Sequence, residues 1–116
     1  MGEWHIASSN QRRDRWIVEG ELTSANVAQF DRELNGLEPE ASTIELDLSA
    51  LDITEGADGA ALTVLVGSLR RLSTRLSRLV LIGAPQILGH NLYRIGALMD
   101  GGAIELVDMR LDEPYG

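Results

Sequence analysis

Between Thr43 and Leu48 the chain alternates residue by residue, with Ile44, Leu46 and Leu48 on one side and Thr43, Glu45 and Asp47 on the other. Successive side chains of a β-strand point to opposite faces, so this segment reads as a strand with one face buried and one wet. A sheet covered by helices on both faces wants near-continuous apolar runs in its central strands, and these residues do not supply one. Downstream, Leu62, Leu65, Leu69, Leu72 and Leu76 recur at alternating spacings of three and four, the stripe of a helix that buries one face. Together they predict an α/β fold: a mixed sheet of four to five strands with helices mainly on one side.

The same two periodicities place the other elements. Glu3 to Ser8 is an edge-strand candidate, and Arg15 to Leu22 alternates well enough for a half-buried strand. Thr23 or Ser24 is a suitable N-cap for a helix over Ala25 to Leu37, with Val27, Phe30 and Leu34 on one face. The central strand leads into the loop Ala50 to Gly59, and the long helix then runs from Ala60 towards Arg78. Arg78 to Ile82 is a further strand. Pro85 can open a helix whose Ile87 or Leu88, Leu92 and Ile95 point inward, with Gly96 as its stop. Ala103 to Val107 is a last strand before a frayed acidic tail. Strands separated by a helix are expected to be parallel. At 116 residues the chain is expected to form one domain, residues 1–116, with its core at about 15–108.

Charge narrows the function. The net charge is −8 and all ten cationic side chains are Arg. Nucleic-acid binding needs clustered positive charge and is not expected. Without lysine there is no Schiff base, no P-loop lysine and no lysine general base. Without cysteine there is no disulfide framework and no thiolate, which fits a cytoplasmic setting. No signal peptide and no membrane-spanning stretch is legible, so no membrane insertion is expected.

The loop between the central strand and the long helix is the natural place for a site, because α/β sheets keep their functional groups where strands end and helices begin. From Leu51 to Gly59 it holds no Ser, Cys, His or Lys. His5 and His90 lie far apart, each without a second ligand at metal spacing, so no metal site is expected. Asp47, Asp52, Glu55 and Asp58 evoke a phospho-acceptor site, but the paired aspartates and the lysine that such a site needs are missing. Gly56, Gly59 and Gly67 form no nucleotide fingerprint; Gly56 and Gly59 suit a tight turn. Asp58 reads as a helix cap, or as a fixed charge that a partner could sense. Arg70, Arg71, Arg75 and Arg78 read as a solvated outer face or as a surface for an acidic partner. Glu45 and Asp47 read as solubilising residues. An enzyme or a small-ligand or nucleotide binder would have to bring Thr54, His90 and Tyr93 together by folding.

The segments VEGELTSANVAQF, IELDLSALDIT, EGADGAALTVLVGSLRRL, LVLIGAPQILGHNLYRIGAL and IELVD succeed one another over about four-fifths of the chain. In this order they resemble the STAS domain family, the fold of anti-sigma-factor antagonists and of the STAS subunit of bacterial lipid-transport ABC systems. That family carries an Asp-Ser-Ser/Ala-Gly motif at the start of the long helix, whose serine is phosphorylated by a partner kinase. Here Glu55 falls on the Asp, Gly56 and Ala57 on the two small positions, and Asp58 or Gly59 on the Gly, allowing one inserted residue. Ala57 stands at the approximate serine position, so no phospho-acceptor is present.

The resemblance implies a non-catalytic protein–protein interaction module, like an anti-sigma-factor antagonist but independent of phosphorylation. The alternative is an accessory STAS subunit of a phospholipid-transport ABC system. The partner is then an anti-sigma or kinase-like protein, or a transporter ATPase; a homodimer stays open, and no cofactor is implied. The expected docking surface is Asp52, Ile53, Thr54, Glu55, Gly56, Ala57, Asp58 and Gly59 with Ala84, Pro85 and Gln86 beside them.

Overall fold

The computed structural model describes residues 4–8, 14–37, 42–53, 60–96, 98 and 102–109. In chain order they form β1 (Trp4–Ser8), β2 (Arg15–Leu22), α1 (Val27–Asn35), β3 (Thr43–Ile53), α2 (Ala60–Ser73), β4 (Arg78–Ile82), α3 (Gln86–Arg94) and β5 (Ile104–Val107). The strands join one sheet in the order β1-β2-β3-β4-β5. β1 is antiparallel to β2, and the other three pairs are parallel. The chain is therefore α/β with a five-stranded mixed sheet and three helices, an arrangement consistent with a STAS-like fold.

A parallel sheet laid down in chain order constrains its helices. β-α-β crossovers are right-handed as a rule, and here each steps the same way along the sheet, which brings α1, α2 and α3 to one face. Burial agrees: Ile44, Leu46 and Leu48 of β3 are sealed, while Thr43, Glu45 and Asp47 on the other face stay partly exposed. The core beneath the helices joins Val18, Phe30, Leu34, Leu65, Leu69, Leu79, Leu81 and Leu88. Each such side chain contributes roughly 1.5–3 kcal/mol relative to an exposed one. All five leucines of the predicted stripe are buried, although α2 stops at Ser73 and Leu76 sits in the turn beyond it. At the β1 edge, Trp4 meets Phe30 of α1 edge-on, with ring centroids 5.2 Å apart.

The structure corrects several expected boundaries. The first helix spans Val27–Asn35, not Ala25 to Leu37. Its entry turn is built by Asn26, whose Oδ1 accepts from the Thr23 N–H at 2.8 Å and whose Nδ2 donates to the Glu21 carbonyl at 3.0 Å; no side chain caps the helix. Ile95 does not point inward. It lies after the last residue of α3, 46% exposed, because the turn that ends at Gly96 (φ +79°) rotates it off the buried face.

β3 reaches Ile53 instead of ending near Leu48, through a bulge. Ile17 pairs with Asp47 but Glu19 pairs with Ala50, so β3 carries one extra residue there. Unbroken alternation would turn Ala50 inward. The bulge buries Leu51 in its place and leaves Ser49 and Ala50 exposed.

Candidate functional site

The bulge is fixed by side chains. Asp47 Oδ1 accepts from the Ser49 N–H at 3.0 Å and from the Ser49 hydroxyl, a local turn that lets the strand step over its extra residue. Arg15 of β2 donates to Asp47 Oδ2 at 3.0 Å and approaches Glu45. Partial burial works against the charged form of Asp47, but the Ser49 hydroxyl and N–H and the Arg15 guanidinium outweigh it and hold its pKa below the usual carboxylate range. Glu45 and Asp47 are thus partners in an ion-paired cluster, not simply solubilising residues.

Across from the bulge the backbone of Gly83 follows β4. A Cβ built there would lie 2.7 Å from the Ser49 Cβ, and Gly83 has φ +66°. Both facts restrict the position to glycine. The Gly83 N–H donates to the Val107 carbonyl at 2.9 Å, tying the turn to the end of β5 as well. The turn after β4 is therefore held between Ser49 of β3 and the end of β5.

The expected docking residues fall on this edge unevenly. Asp52 is exposed and Ile53 half-buried, both in the last residues of β3 instead of in a loop. Thr54, Glu55, Gly56, Ala57, Asp58 and Gly59 lie outside the described residues. Ala84 and Pro85 are buried, and Gln86 at the start of α3 is exposed. Of the described residues proposed for contact, Asp52, Ile53 and Gln86 thus offer accessible surface. Glu21 is in register with Asp52, and Asp108 follows β5 with φ +52°, so the described part of this edge is acidic.

Chemistry is sparse here. His90 and Tyr93 share the exposed side of α3, three residues apart, while Thr54 lies outside the described residues. Among the described residues no three His, Asp or Glu side chains gather where they could hold a metal ion. No helix among them is long and apolar enough to cross a membrane.

A second polar cluster joins α1 to α2. Ser68 is fully buried and its hydroxyl donates to Asp31 Oδ1, which also accepts from Arg71 and, at 2.9 Å, from Asn35. The Ser68 hydroxyl, with Arg71 and Asn35, holds the Asp31 carboxyl below its usual range against partial burial. The Arg71 side chain on this face is thus paired across the helix interface. Nothing in the local sequence marks the pair, since Asp31 and Arg71 are 40 residues apart. The bulge did leave a mark: the two-residue gap between Leu48 and Leu51 breaks the alternation.

The chain matches no family model, and no curated protein matches it.

Proposed function

We propose that the chain is a non-catalytic docking module of STAS type, resembling an anti-sigma-factor antagonist that works in the cytoplasm without a phospho-acceptor. The observation that carries this reading is the carboxyl edge of the sheet. There Asp52 and Ile53 end β3 and Gln86 begins α3, while Gly83 before α3 lies against Ser49 of β3. The sequence that follows β3, from Thr54 to Gly59, supplies carboxylates but no Ser, Cys, His or Lys. Such an edge suits recognition by a protein with complementary positive charge better than it suits catalysis. The partner fitting the resemblance is an anti-sigma or kinase-like protein.

Capture from an extract of the native cells tests the reading, followed by binding measurements with the captured protein. A kinase-like or anti-sigma protein should bind stoichiometrically, and Thr54→Trp or Ala57→Arg should weaken it while the domain keeps its melting temperature. A transporter ATPase in its place moves the module to the lipid-transport class. Binding that survives both bulky substitutions removes this edge as the interface.

A further inference from the structure

The opposite edge of the sheet gathers arginines, some of them paired with acidic side chains. Arg15 and Arg78 open β2 and β4, Arg75 lies in the turn before β4, and Arg32, Arg70, Arg71 and Arg94 sit in the last turns of α1, α2 and α3. Parallel strands share their amino ends, and the crossover helices finish beside them. Every arginine among the described residues is therefore gathered at that edge or just above it, in a chain of net charge −8.

A cleft of about 540 Å³ opens among them, bordered by Gly67, Arg70, Arg71, Gly96 and Gly102 with Ile104 within it. That volume lies in the range of small-molecule sites. Three glycines on the border leave room, and the buried Ile104 gives an apolar floor. The guanidiniums differ in their ties. Arg71 is fixed on one side by Asp31, and its Nη1 lies 3.5 Å from where a Gly67 Cβ would stand. One of its five N–H donors thus holds Asp31 and others remain for a ligand. Among the described residues Arg70 has no ion-pair partner.

Arginines at helix C-termini commonly serve only to offset the carbonyl ends of the helix. Here hydroxyls already do so: Ser73 donates to the Arg70 carbonyl and Thr74 to the Arg71 carbonyl, both at 2.7 Å. Neither guanidinium is needed to satisfy these two carbonyls.

We propose that this cleft binds a phosphorylated small molecule, with its phosphoryl group between Arg70 and Arg71 and its apolar body against Ile104. A phosphoryl group has enough acceptor oxygens for two planar guanidinium forks, and one fork is oriented in advance by Asp31. This site is independent of the docking edge and stands or falls without it.

Calorimetric titration of the full chain with naphthyl phosphate, naphthol and inorganic phosphate tests it. Naphthyl phosphate should bind saturably, inorganic phosphate about tenfold more weakly, and naphthol not at all. Arg70→Gln should weaken naphthyl phosphate about tenfold or more through loss of a charged hydrogen bond. Gly67→Leu should abolish binding by filling the cleft, with the melting temperature not lowered because leucine is the better helix former. Absence of saturable binding, equal binding of naphthol, or binding unchanged in both variants overturns the proposal.

Discussion

Gly83 and Ser49 stand so close that one added carbon at position 83 would lie 2.7 Å from the Ser49 Cβ and 3.0 Å from its Cα. The contact is with a strand backbone, which cannot swing aside. Gly83→Ala should therefore destabilise the protein by about 2 kcal/mol or more, from overpacking together with a left-handed backbone that alanine resists. Thermal or urea unfolding reads this directly. A variant as stable as the parent would mean that the turn has freedom to retreat from β3.

Among the described residues two carboxylates should carry a loss of stability in acid. The folded-state pKa values of Asp31 and Asp47 both lie below the unfolded values. Their contribution is therefore present above the unfolded pKa, near 4, and is lost as pH falls through the lower folded values. In Asp47→Asn the acid limb of the melting-temperature profile should be shallower than in the parent, while the neutral-pH stability falls. A parallel acid limb would show that Asp47 gains nothing from Arg15 and Ser49.

Removing the Ser68 hydroxyl should cost more than an average surface change. Ser68→Ala deletes the buried donor to Asp31 and should lower stability by about 1–2 kcal/mol. Combined with Asp31→Asn, the losses should fall short of their sum, since both act on one network. Simple additivity in urea unfolding would show that the α1–α2 link is only packing.

Gly89 shows the milder kind of crowding. A Cβ there would run into the Met109 sulfur and lie 3.1 Å from Leu106 Cδ1. Methionine is flexible, so Gly89→Ala should lie within about 1 kcal/mol of the parent, the gain in helix propensity offsetting the displaced side chain. Adding Met109→Ala should make the same substitution more favourable than it is in the parent. A double-mutant cycle by thermal unfolding checks the sign.

Asp58→Asn separates a cap from a charge. Asparagine caps a helix about as well as aspartate, so the melting temperature should hardly move. A docking role that depends on charge should appear as weaker calorimetric affinity for the captured partner. Where a phosphorylated side chain carries about two negative charges, this chain carries Asp52, Glu55 and Asp58 permanently. Unchanged affinity leaves capping as a sufficient role.

The strands and the leucine stripe were legible because they follow periods of two and 3.6, which depend only on neighbours in sequence. β3 past Leu48 was harder, because its bulge resets the alternation at Ser49 and Ala50. Burial of Ala84 and Pro85 was hidden for another reason. It comes from tertiary packing of the turn after β4, where Gly83 lies against Ser49 of β3, residues 34 apart in sequence. Arg70, Arg71, Arg75 and Arg78 were legible as one group, but Arg15, Arg32 and Arg94 come to the same end only once the parallel strands align their starts. That parallel strands would bring their carboxyl ends to one edge was legible from connectivity alone. Of the expected docking residues only Asp52, Ile53, Ala84, Pro85 and Gln86 lie among the described ones.

Strand order that repeats chain order also bears on how the molecule is made. As the polypeptide leaves the ribosome, each new strand finds its neighbour already present and adds at the rim. No earlier pair has to part to admit a later strand. Most of the core, from Val18 to Leu72, has been synthesised before β4 begins. An unfinished chain thus presents a growing rim instead of a gap, and a fragment ending at Ile82 should already resist limited proteolysis across β2, α1, β3 and α2.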